Sequence, residues 1–168
     1  MAYQLSKENQ ERVKDVMTHY PHAMSAILPA LHIVMEERGW VDKDACNHVA
    51  ELLGVPPIHV YEAMTFYTYF PQKPVGKYHI QVCHNISCNL RGSEDVIRYL
   101  KDAHGIEEGK VTEDGLFCLH LVECLGACGN SPVMQVNDDY YENLTFDKID
   151  ELIEGWRASG KNGKKHPS

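Results

Sequence analysis

A strand–helix–strand pattern between residues 77 and 123 constrains the fold more than any other feature of this sequence. The segment KYHIQVC alternates apolar and polar residues as a half-buried strand does, and LFCLHLVEC is typical of a second, largely buried strand. Between them, the sequence predicts an amphipathic helix that begins at Ser93 and ends at Gly105. Such a unit makes its two strands parallel, so their carboxyl ends lie at one edge of the sheet.

Four cysteines follow directly on these two predicted strands. Cys83 ends the first strand, and four residues separate it from Cys88. Cys124 ends the second strand, and three residues separate it from Cys128. If the strands are neighbours, they lie about 4.8 Å apart, and the four thiols can surround one small inorganic core. The sequence therefore predicts one shared site.

Three kinds of site compete for these thiols. Structural zinc prefers C-x₂-C pairs, so the wider spacing here is at the loose end of its range. A [2Fe-2S] cluster takes four cysteine sulfurs, and wide pairs leave room for its bridging sulfides. Disulfides or redox thiols are the third possibility, although paired cysteines in a reducing compartment are more often ligands. Spacing alone leaves all three kinds of site open. Three glycines near the cysteines would let backbone amides approach the sulfurs: Gly92, Gly126 and Gly129.

The sequence predicts an α+β protein in two parts. Helix signals dominate residues 1–70, with caps at Ser6 and Asp42 and stops at Gly39 and Gly54. A fourth helix is expected to begin at Pro57 and to reach MTFYTYF. The run PQKPVG breaks every helical pattern. We therefore predict a helical bundle over 1–70, a linker over 71–76, an α/β domain over 77–156 and a disordered tail over 157–168.

The end of the α/β domain is predicted to form a hairpin and a last helix, and the two remaining cysteines are predicted to lie in the core. PVMQVND and YYENL are typical of a hairpin pair, and Thr145 is predicted to cap a last helix. The expected buried face of that helix comprises Phe146, Ile149, Leu152, Ile153 and Trp156. Cys46 and Cys118 lie on apolar stripes and are interpreted as core thiols. His84 is interpreted as a solvent-facing loop residue.

Charge and hydropathy exclude several classes of function. The 168-residue chain has a formal net charge of −8, and its only basic run is GKNGKKHPS, which argues against a nucleic-acid surface. No apolar stretch is long enough to cross a bilayer, and the polar start is unlike a signal peptide, so a cytosolic chain with no direct membrane insertion is expected. No dinucleotide or P-loop glycine motif is present.

The sequence resembles the E-subunit family of NADH:quinone oxidoreductase, respiratory complex I, over nearly its whole length apart from the tail. The residues that carry the resemblance are SAILPALHIVMEERGWV, TFYTYF with PVGKYHIQVCHNISCNLRG, and VECLGACGNSPVMQVNDDYYENLT. The resemblance implies a helical bundle followed by a thioredoxin-like ferredoxin domain with one [2Fe-2S] cluster. It implies that the cluster ligands are Cys83, Cys88, Cys124 and Cys128. A thioredoxin-like fold also suggests a cis Ser131–Pro132 bond.

The resemblance implies a redox function shared with other chains. The cluster would exchange single electrons with the FMN of a partner flavoprotein that binds NADH, within a larger respiratory complex at the cytoplasmic side of the inner membrane. The chain would be a subunit of an oxidoreductase without a complete active site of its own. Equivalent subunits of NAD-linked hydrogenases and formate dehydrogenases share the motifs. The alternatives from other classes are a zinc-stabilised interaction module and a thiol–disulfide oxidoreductase, which is disfavoured because C-x-x-C is absent.

Overall fold

The computed structural model describes residues 3–160, which divide into two compact units, one ending at Pro74 and one beginning at Val75. The first unit is helical. Its α-helices are α1 (Lys7–Thr18), α2 (Ile27–Arg38), α3 (Lys43–Leu53) and α4 (Pro57–Phe66), and a short 3₁₀ turn, Ala23–Ala26, leads into α2. The apolar faces of these helices pack together and form one hydrophobic core.

The helix ends of the first unit confirm the predicted caps. The hydroxyl of Ser6 accepts a hydrogen bond from the Asn9 N–H at 3.3 Å. The carboxylate of Asp42 accepts one from the Ala45 N–H at 2.9 Å. Gly39 and Gly54 end α2 and α3 in the left-handed conformation, which a side chain would disfavour.

The aromatic segment after α4 divides between core and surface. The helix ends at Phe66, earlier than the sequence pattern suggested. Phe70 is buried in the core of the first unit, whereas Phe66, Tyr67 and Tyr69 are exposed.

The second unit is a mixed four-stranded sheet with helices. Its elements are β1 (Tyr78–Cys83), α5 (Ile86–Leu90), α6 (Ser93–His104), β2 (Phe117–Val122), β3 (Met134–Val136), β4 (Asp139–Tyr141) and α7 (Phe146–Gly160). The strand order is β2-β1-β3-β4. β1 and β2 are parallel neighbours, with Cys83 opposite Val122, whereas β3 and β4 form the predicted antiparallel hairpin. The strand–helix–strand prediction is therefore confirmed.

Side chains from one face of this sheet form the core of the second unit. Tyr78, Ile80 and Val82 of β1 are buried on that face, as their alternation predicted. They pack with residues of α6 and α7, among them Leu100, Ile149 and Ile153. The hydroxyl of Thr145 accepts a hydrogen bond from the Lys148 N–H at 3.3 Å, which confirms the predicted cap of α7.

The last helix departs from the sequence prediction at both of its ends. Phe146 was expected in the core but is 46% exposed, and it stacks on the Tyr99 ring at 4.4 Å instead. The tail was expected to begin at Arg157, but α7 continues to Gly160, and the Arg157 guanidinium donates a hydrogen bond to the His104 carbonyl at 2.9 Å. The rest of the predicted tail, 161–168, lies outside the described residues. Within residues 3–160, no helix has the length and apolar character needed to cross a membrane.

Candidate metal centre

The first cysteine lies where the two parallel strands end together. Cys83 is the last residue of β1, and its backbone N–H donates to the Val133 carbonyl at 3.1 Å, which ties it to the start of β3. The Cys83 thiol donates to the Glu123 carbonyl at 3.6 Å, one residue before Cys124. The parallel register therefore brings the second cysteine loop against the first cysteine.

A short helix that the sequence pattern did not predict positions the second cysteine. The Asn85 side chain accepts a hydrogen bond from the Ile86 N–H at 2.7 Å and starts α5, a short helix that begins in the first cysteine loop, between Cys83 and Cys88, and carries Cys88 itself. This helix points Cys88 inward, where it forms a small buried cluster with Cys83 and Val133. Asn85 followed by apolar residues is an N-cap signal that could have predicted α5.

The other two cysteines lie on the exposed loop after β2. Cys124 and Cys128 are both exposed, whereas Cys83 and Cys88 are each only 3% exposed. The Gly126 N–H donates to the Cys124 sulfur at 3.4 Å, and Gly126 has φ +76, a conformation that glycine adopts without strain. The prediction that an amide approaches a sulfur is confirmed at Gly126.

A buried serine links the two cysteine pairs. The Ser131 hydroxyl donates to the Cys128 carbonyl at 2.8 Å and accepts a hydrogen bond from the Cys88 thiol at 3.4 Å. Leu125 and Ala127, from the loop between Cys124 and Cys128, pack on the cluster that Cys83 and Cys88 form. The two loops are thus in contact through side chains and hydrogen bonds, with Cys83 and Cys88 brought together and Cys124 and Cys128 on the adjoining loop.

Burial and hydrogen bonding act in opposite directions on the Cys88 thiol. Burial raises the pKa of Cys88 above its ordinary value, and the neighbouring Cys83 adds to that rise, while the hydrogen bonds that Cys88 shares with the Ser131 hydroxyl and the Val133 backbone partly offset it. Cys88 therefore sits among groups that can stabilise a thiolate once iron has displaced its proton.

The donor set at this edge of the sheet fits an iron–sulfur cluster. Four thiols, two of them buried, and an amide directed at sulfur are the kinds of group that a four-cysteine [2Fe-2S] site uses. Among residues 3–160, no three His, Cys, Asp or Glu side chains are arranged to hold a single metal ion.

Comparison with known proteins decides the family. The model of the thioredoxin-like [2Fe-2S] ferredoxins matches residues 13–157. The chain belongs to this family. Its cofactor is therefore one [2Fe-2S] cluster, and the α+β thioredoxin-like fold expected from the sequence is confirmed.

Relatives of this ferredoxin are E subunits of NADH-quinone oxidoreductase. The relative from Rhizobium meliloti (strain 1021), the second E subunit named for that organism, is 45% identical over 150 residues, covering 89% of each chain. The E subunit from Rickettsia bellii (strain RML369-C) is 44% identical over 158 residues, covering 92% of this chain and 95% of the relative. The resemblance to this family of oxidoreductase subunits is confirmed.

A solved structure shows the same fold inside a larger chain. The crystal structure of the air-oxidized NAD⁺-reducing [NiFe]-hydrogenase matches with a TM-score of 0.67 and 26% identity, covering 79% of this ferredoxin. This ferredoxin spans only 23% of that hydrogenase chain.

Three further predictions about individual residues are confirmed. The Ser131–Pro132 peptide bond is cis. Cys46 and Cys118 are each 2% exposed, and burial raises the pKa of both thiols, to about 11 for Cys46. His84 is partly exposed in the first cysteine loop, with its Nε2 atom 3.6 Å from the Glu123 carboxylate.

Proposed function

We propose that this chain is an electron-transfer subunit of an NADH-oxidising complex and holds its [2Fe-2S] cluster on Cys83, Cys88, Cys124 and Cys128. The bound cluster supplies the one-electron redox chemistry. The observation that carries the assignment is the linkage of the two loops: the Cys83 thiol reaches the Glu123 carbonyl, and Ser131 connects Cys88 with Cys128.

The residues of this chain would shield and tune the cluster. Val133, Leu125 and Ala127 surround the buried thiols and exclude water from one side of the site. The Gly126 and Val133 N–H groups stabilise negative charge on sulfur, which favours the reduced state. The exposure of Cys124 and Cys128 leaves the other side accessible to a redox partner.

The partner proposed is the flavoprotein subunit that binds NADH and FMN. We place its contact surface on α5, where Ile86 and Leu90 are 73% and 83% exposed. They are four residues apart, so they share one face of α5, on either side of Cys88 in the sequence. Exposed aliphatic side chains so close to a redox site are typical of a docking surface, and a partner bound there could approach the cluster closely.

The parent complex proposed is the NADH:quinone oxidoreductase at the cytoplasmic side of the inner membrane, because its E subunits match this chain over most of both lengths. An equivalent place in an NAD-linked hydrogenase is the second candidate. The hydrogenase structure supports it, because this fold occurs there within a longer chain.

The test of this function is reduction by NADH through the partner. The chain and its flavoprotein would be co-purified anaerobically, and the cluster's electron paramagnetic resonance signal would be followed after NADH is added. A signal that appears only when the flavoprotein is present supports the proposal. A fully loaded cluster that NADH never reduces in the co-purified pair would contradict it.

The docking surface is tested with Leu90→Glu against a matched control. Ile58 in α4 of the first unit is 55% exposed, so Ile58→Glu introduces the same charge on another exposed aliphatic position. Leu90→Glu should weaken co-purification at unchanged iron content, whereas Ile58→Glu should not. Equal binding by both variants removes the docking surface from α5 and leaves the ligand assignment intact.

A further inference from the structure

Ser131 is the one side-chain hydroxyl, among the described residues, that hydrogen-bonds to a cysteine sulfur of the proposed site. Ser131 is only 1% exposed, and its hydroxyl oxygen lies 3.4 Å from the Cys88 sulfur and 2.8 Å from the Cys128 carbonyl oxygen. Two hydrogen bonds to backbone carbonyls hold this part of the loop in place. The Arg91 Nε–H donates to the Ser131 carbonyl at 3.1 Å, and the nearby Val133 carbonyl accepts from the Cys83 N–H.

The direction of one of these hydrogen bonds must change when Cys88 becomes a ligand. In the free chain, the Cys88 thiol is the donor and the Ser131 oxygen is the acceptor. A cysteine that binds iron does so as a thiolate and has no proton left to donate. The Ser131 hydroxyl then has two acceptors within reach, the Cys88 sulfur and the Cys128 carbonyl, and its rotation selects between them.

We propose that Ser131 tunes the reduction potential of the site by donating its hydroxyl proton to the Cys88 sulfur. This inference rests on the proposed cluster ligands. Negative charge on the sulfur increases when the site accepts an electron, so a hydrogen bond to that sulfur stabilises the reduced state more than the oxidised state. Burial removes competing water and strengthens the effect. Ser131 therefore raises the potential.

Burial also makes the bond hard to replace. When the hydroxyl is removed, little solvent reaches the sulfur to donate in its place, because Cys88 is 3% exposed and Val133 is 1% exposed. Gly126 donates to Cys124, on the exposed loop, and so cannot substitute at Cys88. Ser131 is thus a positioning and tuning residue for one particular ligand.

The test compares Ser131→Ala with Ser131→Thr and with Ser87→Ala in the intact chain. Ser87 lies within α5 of the first cysteine loop, and its hydroxyl makes no hydrogen bond to sulfur that is found among the described residues. Iron and acid-labile sulfide per chain, the midpoint potential, and the deuterium shift of the iron–cysteine stretching bands in resonance Raman spectra are measured for each. The Raman measurement reports directly on hydrogen bonds to sulfur, which a purely structural role of Ser131 would leave unchanged.

The expected result is a fully loaded Ser131→Ala variant with a lower midpoint potential and a smaller deuterium shift. Ser131→Thr and Ser87→Ala should resemble the unmodified chain. Unchanged potential and deuterium shift in Ser131→Ala would overturn the proposal, because they would show that in the unmodified chain the Ser131 hydroxyl donates to the Cys128 carbonyl and not to the Cys88 sulfur. If Ser131→Ala does not fold, Ser131→Gly also removes the hydroxyl, and the same two measurements decide.

Failure of the ligand assignment has a different signature. A Cys88→Ala variant that keeps its full iron and sulfide would show that Cys88 is no ligand, and both proposals would then fall. A Cys88→Ala variant that loses its iron, together with a Ser131→Ala variant of unchanged potential, refutes only the tuning.

Discussion

The buried thiols of this protein fall into two groups that burial alone does not separate. Cys83 and Cys88 are each 3% exposed, and Cys46 and Cys118 are each 2% exposed. Cys46 lies within the apolar core of the helical unit, whereas Cys83 and Cys88 are hydrogen-bonded to the Glu123 carbonyl and the Ser131 hydroxyl. Polar partners and a neighbouring loop, more than burial, thus separate the two proposed ligand thiols from Cys46.

The largest effect should come from removing a thiol at the sheet edge. Cys83→Ser or Cys88→Ser should abolish cluster binding, because a fixed backbone cannot bring the shorter serine side chain to iron. Cys124→Ser and Cys128→Ser should retain more iron, since their exposed loop can adjust. Iron and sulfide assays on anaerobically purified chains measure this, with Cys46→Ala and Cys118→Ala as controls that keep the full cluster. A full cluster in Cys83→Ser would show that Cys83 is no ligand and belongs with the core thiols.

Two histidines close to Cys118 should make the stability of the fold depend on pH. Its sulfur lies 4.0 Å from the Nδ1 atom of His120, and that atom is 2.7 Å from the Nε2 atom of His79. Burial, and then the proximity of His120, lower the pKa of His79 to about 4. As the pH falls, His79 therefore takes up its proton at a higher pH in the unfolded chain than in the folded chain. The stability that His79 contributes is therefore complete above about pH 6.5 and is lost as the pH falls toward 4, in total roughly 3 kcal/mol.

A His79→Gln variant checks this linkage, because glutamine does not titrate. Denaturant unfolding at pH 7 and pH 5.5 should show a smaller loss of stability in the variant than in the unmodified chain. Because protonation of His79 opposes folding, the difference in stability loss between the variant and the unmodified chain should grow as the pH is lowered. Identical pH dependence in the two proteins would show that His79 is not held neutral in the folded state.

A polar substitution at a core thiol should destabilise the fold and leave the metal site intact. Cys46→Ser places a hydroxyl in the apolar core of the first unit, which typically costs about 2 kcal/mol when no partner is available. Cys46→Ala should cost less, because it introduces no polar group. Thermal unfolding together with iron content measures both. Loss of iron from Cys46→Ser at unchanged stability would mean that this thiol belongs with the ligands.

The smallest effect is expected at the helix cap next to Cys46. Burial opposes ionisation of Asp42, but the hydrogen bond from the Ala45 N–H and the nearby Arg38 guanidinium hold the pKa of that carboxyl below its usual range. Asp42→Ala removes the cap of α3 and should lower the free energy of unfolding by about 1 kcal/mol. Asp42→Asn, which keeps a capping oxygen, is the matched control. Unfolding curves that show equal losses for both would assign the effect to charge instead of capping.

The sequence predicted the framework of the site because its signals are local or periodic. Alternation marked β1, apolar spacing marked α6, and the rule for parallel strands placed Cys83 and Cys124 at one edge. The same reasoning separated Cys46 and Cys118 from the ligand pairs, since both lie on apolar stripes.

The finer features of the site could not be predicted from the periodic patterns of the sequence. The link from Ser131 to Cys88 joins residues 43 positions apart and depends on the course of the loop after Cys128. The helix α5 is only five residues long, too short for periodicity to reveal. Phe146 was assigned to the core by its spacing, but stacking on Tyr99 holds it at the surface.

The most direct test of the iron–sulfur assignment is the content of iron, acid-labile sulfide and zinc in the anaerobically purified chain, measured beside Cys83→Ser. We predict two irons and two sulfides per chain, lost in the variant. One zinc and no sulfide per chain, from cells that assemble iron–sulfur clusters, would contradict the electron-transfer function and leave a structural zinc module.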